Sequence, residues 1–124
     1  ENLLNQFTNN QISIPLELQI YNIVNFLPSP INPNRKTLIL DLDETLVHSA
    51  FVPFNNKPDM TLTIEFEKKP HTIYVLKRPH VDEFISRMSE FYEVVVFTAS
   101  IKTYAKPVIQ QLDSSGKISY KLFK

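Results

Sequence analysis

Two kinds of apolar spacing alternate along this chain. Residues 37–42 (TLILDL) and 93–98 (EVVVFT) are short, nearly continuous runs rich in strand formers, the pattern of buried parallel strands. Residues 73–77 and 118–123 read as two further strands. Between them the period lengthens. Val81, Phe84, Ile85 and Met88 share one helical face after Pro79, with Asp82 and Glu83 near that helix's positive N-terminus. Ile101, Tyr104, Ala105, Val108, Ile109 and Leu112 share another. Pro107 conflicts with a single unbroken helix there, so a short turn and a helix starting near Pro107 are expected. Residues 113–116 read as a turn.

Residues 49–72 follow a different rule. They carry three prolines and the pair Asn55-Asn56, and residues 61–66 (TLTIEF) alternate with period two, which predicts a half-exposed hairpin. At the other end, residues 1–13 are rich in Asn and Gln and lack periodicity. From Pro15 a helix is expected, with Leu16, Ile20, Ile23, Val24 and Leu27 on one face. Pro28, Pro30 and Pro33 then stop it. Residues 1–34 are read as a tail, helix and Pro-rich connector, and residues 35–124 as the domain proper. Strands alternating with helices mean an α/β domain with a mainly parallel sheet. Ligands of such sheets sit beyond the carboxyl ends of the strands, which directs attention to the ends of TLILDL and EVVVFT.

Composition narrows the chemistry. The chain has 124 residues, 43% of them hydrophobic, enough for a real core. Thirteen basic and thirteen acidic residues give no net charge, which argues against direct nucleic-acid binding or a polybasic membrane contact. With no cysteine there is no disulfide framework, Cys-ligated zinc or cysteine nucleophile, and a cytosolic or nuclear address fits. The lone Gly116 excludes a P-loop and a dinucleotide fingerprint. No apolar run reaches the roughly 20 residues of a membrane span.

What remains is carboxylate chemistry. TLILDL runs into Asp41-Leu42-Asp43-Glu44-Thr45, and a charge at the end of an apolar strand must be paired or bind metal. Asp41 and Asp43 are two apart, so an extended backbone points them the same way, and two like charges side by side favour a cation between them. An all-oxygen site suits Mg²⁺. One carboxylate could attack phosphorus and the other act as acid and then base. The alternative is an acidic turn whose Asp residues cap backbone amides. At the second strand end, the Thr98 hydroxyl and the amides after it suit a phosphate, although Thr98 and Ser100 could equally cap the next helix. His48, His71 and His80 lack metal-ligand spacing and read as packing or surface residues, and Lys77 and Arg78 as solvated or structurally paired.

These residues resemble a known family. Residues 41–48 (DLDETLVH) resemble the first motif of the haloacid dehalogenase superfamily, in the form used by small phosphatases of the RNA polymerase II C-terminal domain. Residues 75–84 (VLKRPHVDEF) and 97–100 (FTAS) resemble the same family in the same order. The likeness runs from about Lys36 to Phe123. The nuclear-envelope lipin phosphatase branch shares much of it, while residues 48–51 with Asn55-Asn56 look closer to the small C-terminal-domain phosphatases. The resemblance implies a Rossmann-like haloacid dehalogenase core with a mainly parallel sheet, and a small hairpin flap over about residues 49–72 that selects substrate. It implies Asp41 as nucleophile and Mg²⁺ ligand, Asp43 as acid/base and Mg²⁺ ligand through its backbone carbonyl, and Thr98 as a phosphoryl contact. It implies an apolar pocket for a substrate proline lined by Phe51, Ile64, Phe66, Ile73, Ile101 and Tyr104. Read without the family, those six are ordinary core residues. A nuclear protein-serine phosphatase acting on phosphoserine beside proline, as in the RNA polymerase II C-terminal domain, is the reading that follows.

The family's third motif, a Lys, and its fourth, an Asp-Asn pair, lie on the C-terminal side of the last strand here. Lys117, Lys121 and Lys124 come too early to stand in for that Lys. The C-terminal part of the domain is therefore expected to be missing, apolar surface is expected on one side of TLILDL, and these 124 residues alone are expected to be inactive. Two alternatives accompany this reading: a non-catalytic module that keeps the proline pocket, and a lipin-type phosphatase at the nuclear envelope.

Overall fold

The computed structural model describes residues 27–30 and 32–124. The tail, and the body of the helix expected from Pro15, lie outside them. The described chain runs β1 (Lys36–Leu40), β2 (Val47–Ala50), β3 (Met60–Phe66), β4 (Lys69–Lys77), α1 (Val81–Phe91), β5 (Tyr92–Phe97), α2 (Lys102–Leu112) and β6 (Tyr120–Leu122). A three-stranded parallel sheet has the order β1-β5-β6, and a second, antiparallel sheet has the order β2-β4-β3. The α/β reading and the small antiparallel flap both hold.

β5 sits at the centre of the parallel sheet, and residues 93–96 are buried, as a continuous apolar run requires. β1 carries apolar surface of the kind expected on one side of TLILDL. It pairs only with β5 among the described residues, most of its positions are half-buried or exposed, and Ile39 is 41% exposed.

Residues 73–77 were expected among the alternating strands of the main sheet. They form instead the end of β4, the middle strand of the second sheet. The cause is local: a two-residue turn at Glu67-Lys68 folds β4 back on β3, and β2 takes its other edge. Met60, Leu62 and Ile64 face inward while Thr61, Thr63 and Glu65 face water, as the alternation predicts. Both turn residues have left-handed backbones, at φ 51° and 61°, which suits a hairpin but strains non-glycine side chains. Lys68→Gly is therefore expected to raise stability by about 1 kcal/mol, read in the full-length protein as a higher urea midpoint at unchanged slope.

The helices carry one agreement and two corrections. On α2, Tyr104, Ala105, Val108, Ile109 and Leu112 form the buried face as expected, with Ile101 half-buried just before it. Pro107 does not delay the helix; it lies inside it. An interior proline costs about 3 kcal/mol, but each large apolar side chain buried on that face contributes about 1.5–3 kcal/mol, so packing prevails. On α1, Val81 and Ile85 are buried, but Phe84 is 41% exposed and lines a cavity with Leu40 of β1. One core cluster includes Leu42, Ile73, Ile85, Val94, Val96 and Ile109, and so joins both sheets and both helices.

Candidate active site

The parallel pairing of β1 and β5, with Leu40 opposite Val96, brings the ends of both strands to one edge. Past Leu40 the chain turns tightly. The Leu42 carbonyl accepts the amides of Thr45, Leu46 and Val47, and Glu44 has φ 60°. Leu42 is anchored at 0% exposure, so its neighbours Asp41 and Asp43 are carried toward the surface, as an alternating backbone requires.

The two carboxylates then differ. Asp41 is exposed, and one of its oxygens accepts the Leu42 amide at 2.7 Å. Partial desolvation raises its pKa above the usual carboxylate value; the Leu42 bond opposes that, and the nearby Asp43 charge adds to it. Asp43 is half-buried and held at both oxygens: Ser100 donates to one at 2.5 Å, and the Tyr104 hydroxyl to the other at 2.7 Å. Tyr104 is closed to solvent and its hydroxyl also meets Ser49 Oγ on β2 at 2.6 Å. Burial first, then the Asp43 charge, pushes the Tyr104 phenol above its usual range, so it remains a neutral donor.

Thr98 is 1% exposed and its Oγ1 accepts the Ser100 amide at 3.1 Å. That is the capping type of contact considered from the sequence, although it braces the loop before α2 and no side chain caps the helix itself. Of the six apolar candidates, Ile64, Ile73 and Tyr104 are buried, while Phe51, Phe66 and Ile101 are half-buried at the surface. Phe51 and Phe66 both approach the His71 ring, with centroids 5.9 and 6.2 Å away. His48 pairs with Glu44 at 2.7 Å on the surface, Lys77 pairs with Asp82 at 3.0 Å, and the Arg78 guanidinium donates to the Thr45 carbonyl. Two cavities of about 330 and 320 Å³ lie beside the Asp loop, the first against His48 and Lys77, the second against Leu40 and Phe84. Asp41, Asp43 and Thr98 line neither; they stand at the strand ends outside them.

Ser49 and Ser100 were missed as site residues, and Tyr104 was read only as apolar lining. A signal did exist: a tyrosine on a buried helix face needs a partner for its hydroxyl, and a half-buried Asp needs donors. Among the described residues no group of three or more His, Asp or Glu gathers to hold a metal. The Asp41–Asp43 pair nonetheless fits Mg²⁺. Its donors are all oxygen, its charges disfavour each other, and Mg²⁺ is commonly held by one or two carboxylates with water and phosphate completing the shell. Among the described residues no helix is long and apolar enough to cross a membrane.

Known proteins match this chain in sequence and fold. Residues 36–124 match the family model of the NLI interacting factor-like phosphatases. The chain is 50% identical over 95 residues to a probable C-terminal domain small phosphatase of Dictyostelium discoideum, covering 77% of this chain and 31% of that protein. It is 52% identical over 87 residues to the human carboxy-terminal domain RNA polymerase II polypeptide A small phosphatase 1, covering 70% of this chain and 33% of that protein. The chain thus spans about a third of the length of these relatives. The fold matches the solved structure of Fcp1, an essential RNA polymerase II C-terminal-domain phosphatase, with a TM-score of 0.65 at 24% identity, over 86% of this chain and 33% of that one. The beryllium fluoride-bound fission yeast Fcp1 gives a TM-score of 0.63 at 23% identity, over 86% of this chain and 32% of that one. With its strand-end carboxylates inside the matched span, the chain belongs to the NLI interacting factor-like phosphatase family, on a haloacid dehalogenase fold.

Proposed function

We propose that the protein containing this chain is a Mg²⁺-dependent protein-serine phosphatase that works through an aspartyl-phosphate. Family membership, together with the two carboxylates at the end of β1, carries the reading. In the first step an Asp41 oxygen attacks phosphorus, the bond from phosphorus to the serine oxygen breaks, and Asp43 gives its proton to the departing oxygen. In the second, water attacks phosphorus, Asp43 takes a proton from it, the bond to Asp41 breaks, and phosphate leaves. Asp41 and the Asp43 carbonyl would hold Mg²⁺, which when bound offsets the negative charge of the carboxylates and the phosphoryl oxygens. Thr98 accepts the Ser100 amide through its oxygen, and that bond leaves its hydroxyl hydrogen for a phosphoryl oxygen.

Substrate choice belongs to the flap. Phe51, Phe66 and Ile101 offer half-buried apolar surface for a proline ring, with Ile64, Ile73 and Tyr104 packed behind. The relatives named for the C-terminal domain of RNA polymerase II make that phosphorylated domain the proposed substrate, and the nucleus the proposed place of action. The test is hydrolysis by the full-length protein of phosphoserine peptides with and without an adjacent proline, in Mg²⁺ and in chelator. Faster turnover of the proline peptide, lost in chelator, is the expected result. Peptide binding without hydrolysis would replace the enzyme with a binding module.

A further inference from the structure

The hydrogen bonds around Asp43 have a direction. A phenol has one hydrogen, and Tyr104 gives its own to Asp43, so at the 2.6 Å contact Ser49 donates and Tyr104 accepts. The chain Ser49 to Tyr104 to Asp43 therefore runs from β2 of the flap sheet, through α2, to the end of β1. A second donor, Ser100, approaches the other carboxylate oxygen from the loop before α2. A carboxylate offers about four lone-pair positions. One hydrogen bond on each oxygen fixes the plane of the group and still leaves a free position on each for a proton bound for the leaving oxygen. Removing either hydroxyl frees the carboxylate to rotate.

We propose that Tyr104, with its hydroxyl oriented by Ser49, is a positioning residue that holds Asp43 at the angle from which it protonates the departing serine oxygen. This rests on the reaction proposed above. It assigns Tyr104 a polar task in addition to its packing, and it couples the flap that selects substrate to the acid that completes the cleavage.

The role has a signature that packing lacks. A serine alkoxide leaves only with a proton, whereas para-nitrophenolate leaves largely without one. In the full-length protein, Tyr104→Phe is expected to lower kcat on a phosphoserine peptide by about tenfold or more. KM should stay within about twofold, and kcat on para-nitrophenyl phosphate should fall by less than about threefold. Ser49→Ala should shift both substrates in the same sense by a smaller factor, and Ser49→Thr, which keeps the donor, should restore the wild-type ratio. Independently of turnover, the side-chain carboxyl ¹³C resonance of Asp43 in aspartate-labelled protein should move in Tyr104→Phe and Ser49→Ala.

Equal losses on both substrates, a change in KM alone, or an unmoved Asp43 resonance would overturn the positioning role. Should Tyr104→Phe fail to fold, the comparison of Ser49→Ala with Ser49→Thr decides in its place. A wild-type protein that hydrolyses neither substrate would overturn the proposed reaction and this inference together. A wild type whose activity is lost in Asp41→Asn, but whose substrate ratio is unmoved by Tyr104→Phe, would overturn the inference alone.

Discussion

Asp41→Asn is expected to lower phosphatase activity of the full-length protein by at least about 10³-fold, because an amide oxygen cannot serve as the attacking carboxylate. The fold should not suffer. Partial desolvation raises the Asp41 pKa, so the folded state favours the protonated acid relative to the unfolded chain. Stability contributed by this group is therefore present below the unfolded pKa, near 3.8, and is lost as pH rises through the higher folded value. At neutral pH the wild type carries a mildly disfavoured charge that Asn removes. The variant should melt at the same temperature or slightly higher, and should show no phosphate adduct on rapid acid quench and mass spectrometry. An active Asp41→Asn variant, or an adduct on another residue, would remove Asp41 from its role.

Ile73→Ala is expected to cost about 2–5 kcal/mol of stability, the range for deleting a buried aliphatic side chain from a tightly packed site. Ile73 has no exposed surface and lies on β4, the strand that pairs with both β2 and β3. It joins the core cluster that reaches Val94 and Ile109, so the vacated volume has little room to collapse. The effect should appear in urea unfolding as a lower midpoint. Phe51→Ala is the contrast. Phe51 is half-buried, packs against the edge of the core and meets the His71 ring edge to face, so its loss should cost less stability. It should instead raise KM for a proline-containing phosphopeptide while leaving KM for para-nitrophenyl phosphate near its starting value. If Ile73→Ala raised KM with stability unchanged, Ile73 would belong to the pocket surface rather than to its support.

The hydroxyl network explains why the two Asp residues, alike in sequence, differ in the fold. Asp41 keeps an oxygen open at the surface, whereas Asp43 is clamped by Ser100 and Tyr104. In the reaction proposed above, this separates an open carboxylate for attack on phosphorus from a held one for proton transfer.

Much of this architecture is legible in the residue pattern, because it depends on short-range periodicity. The apolar run EVVVFT specifies a strand buried on both faces, and β5 is that strand. The alternation of residues 61–66 specifies a strand with one wet face, and β3 has it. The placement of Asp41, Asp43 and Thr98 at strand ends follows from where those runs stop. Three things do not follow from local pattern. Among the described residues β1 pairs with β5, and nothing in its own run names that partner, because pairing joins strands distant in the chain. Pro107 sits inside α2 because the burial of Tyr104, Val108, Ile109 and Leu112 outweighs a local penalty. The partners of Asp43 lie 57 and 61 residues along the chain, and Ser49 lies 55 residues from Tyr104. No periodicity links such distant positions. The sequence by itself determined most of the elements, the strand-end carboxylates and the family, since each is written in contiguous residues. Only the tertiary structure decided which hydroxyls meet Asp43, because a hydrogen bond requires close approach, here 2.5–2.7 Å, and the packing of α2 against the antiparallel sheet brings these distant residues together.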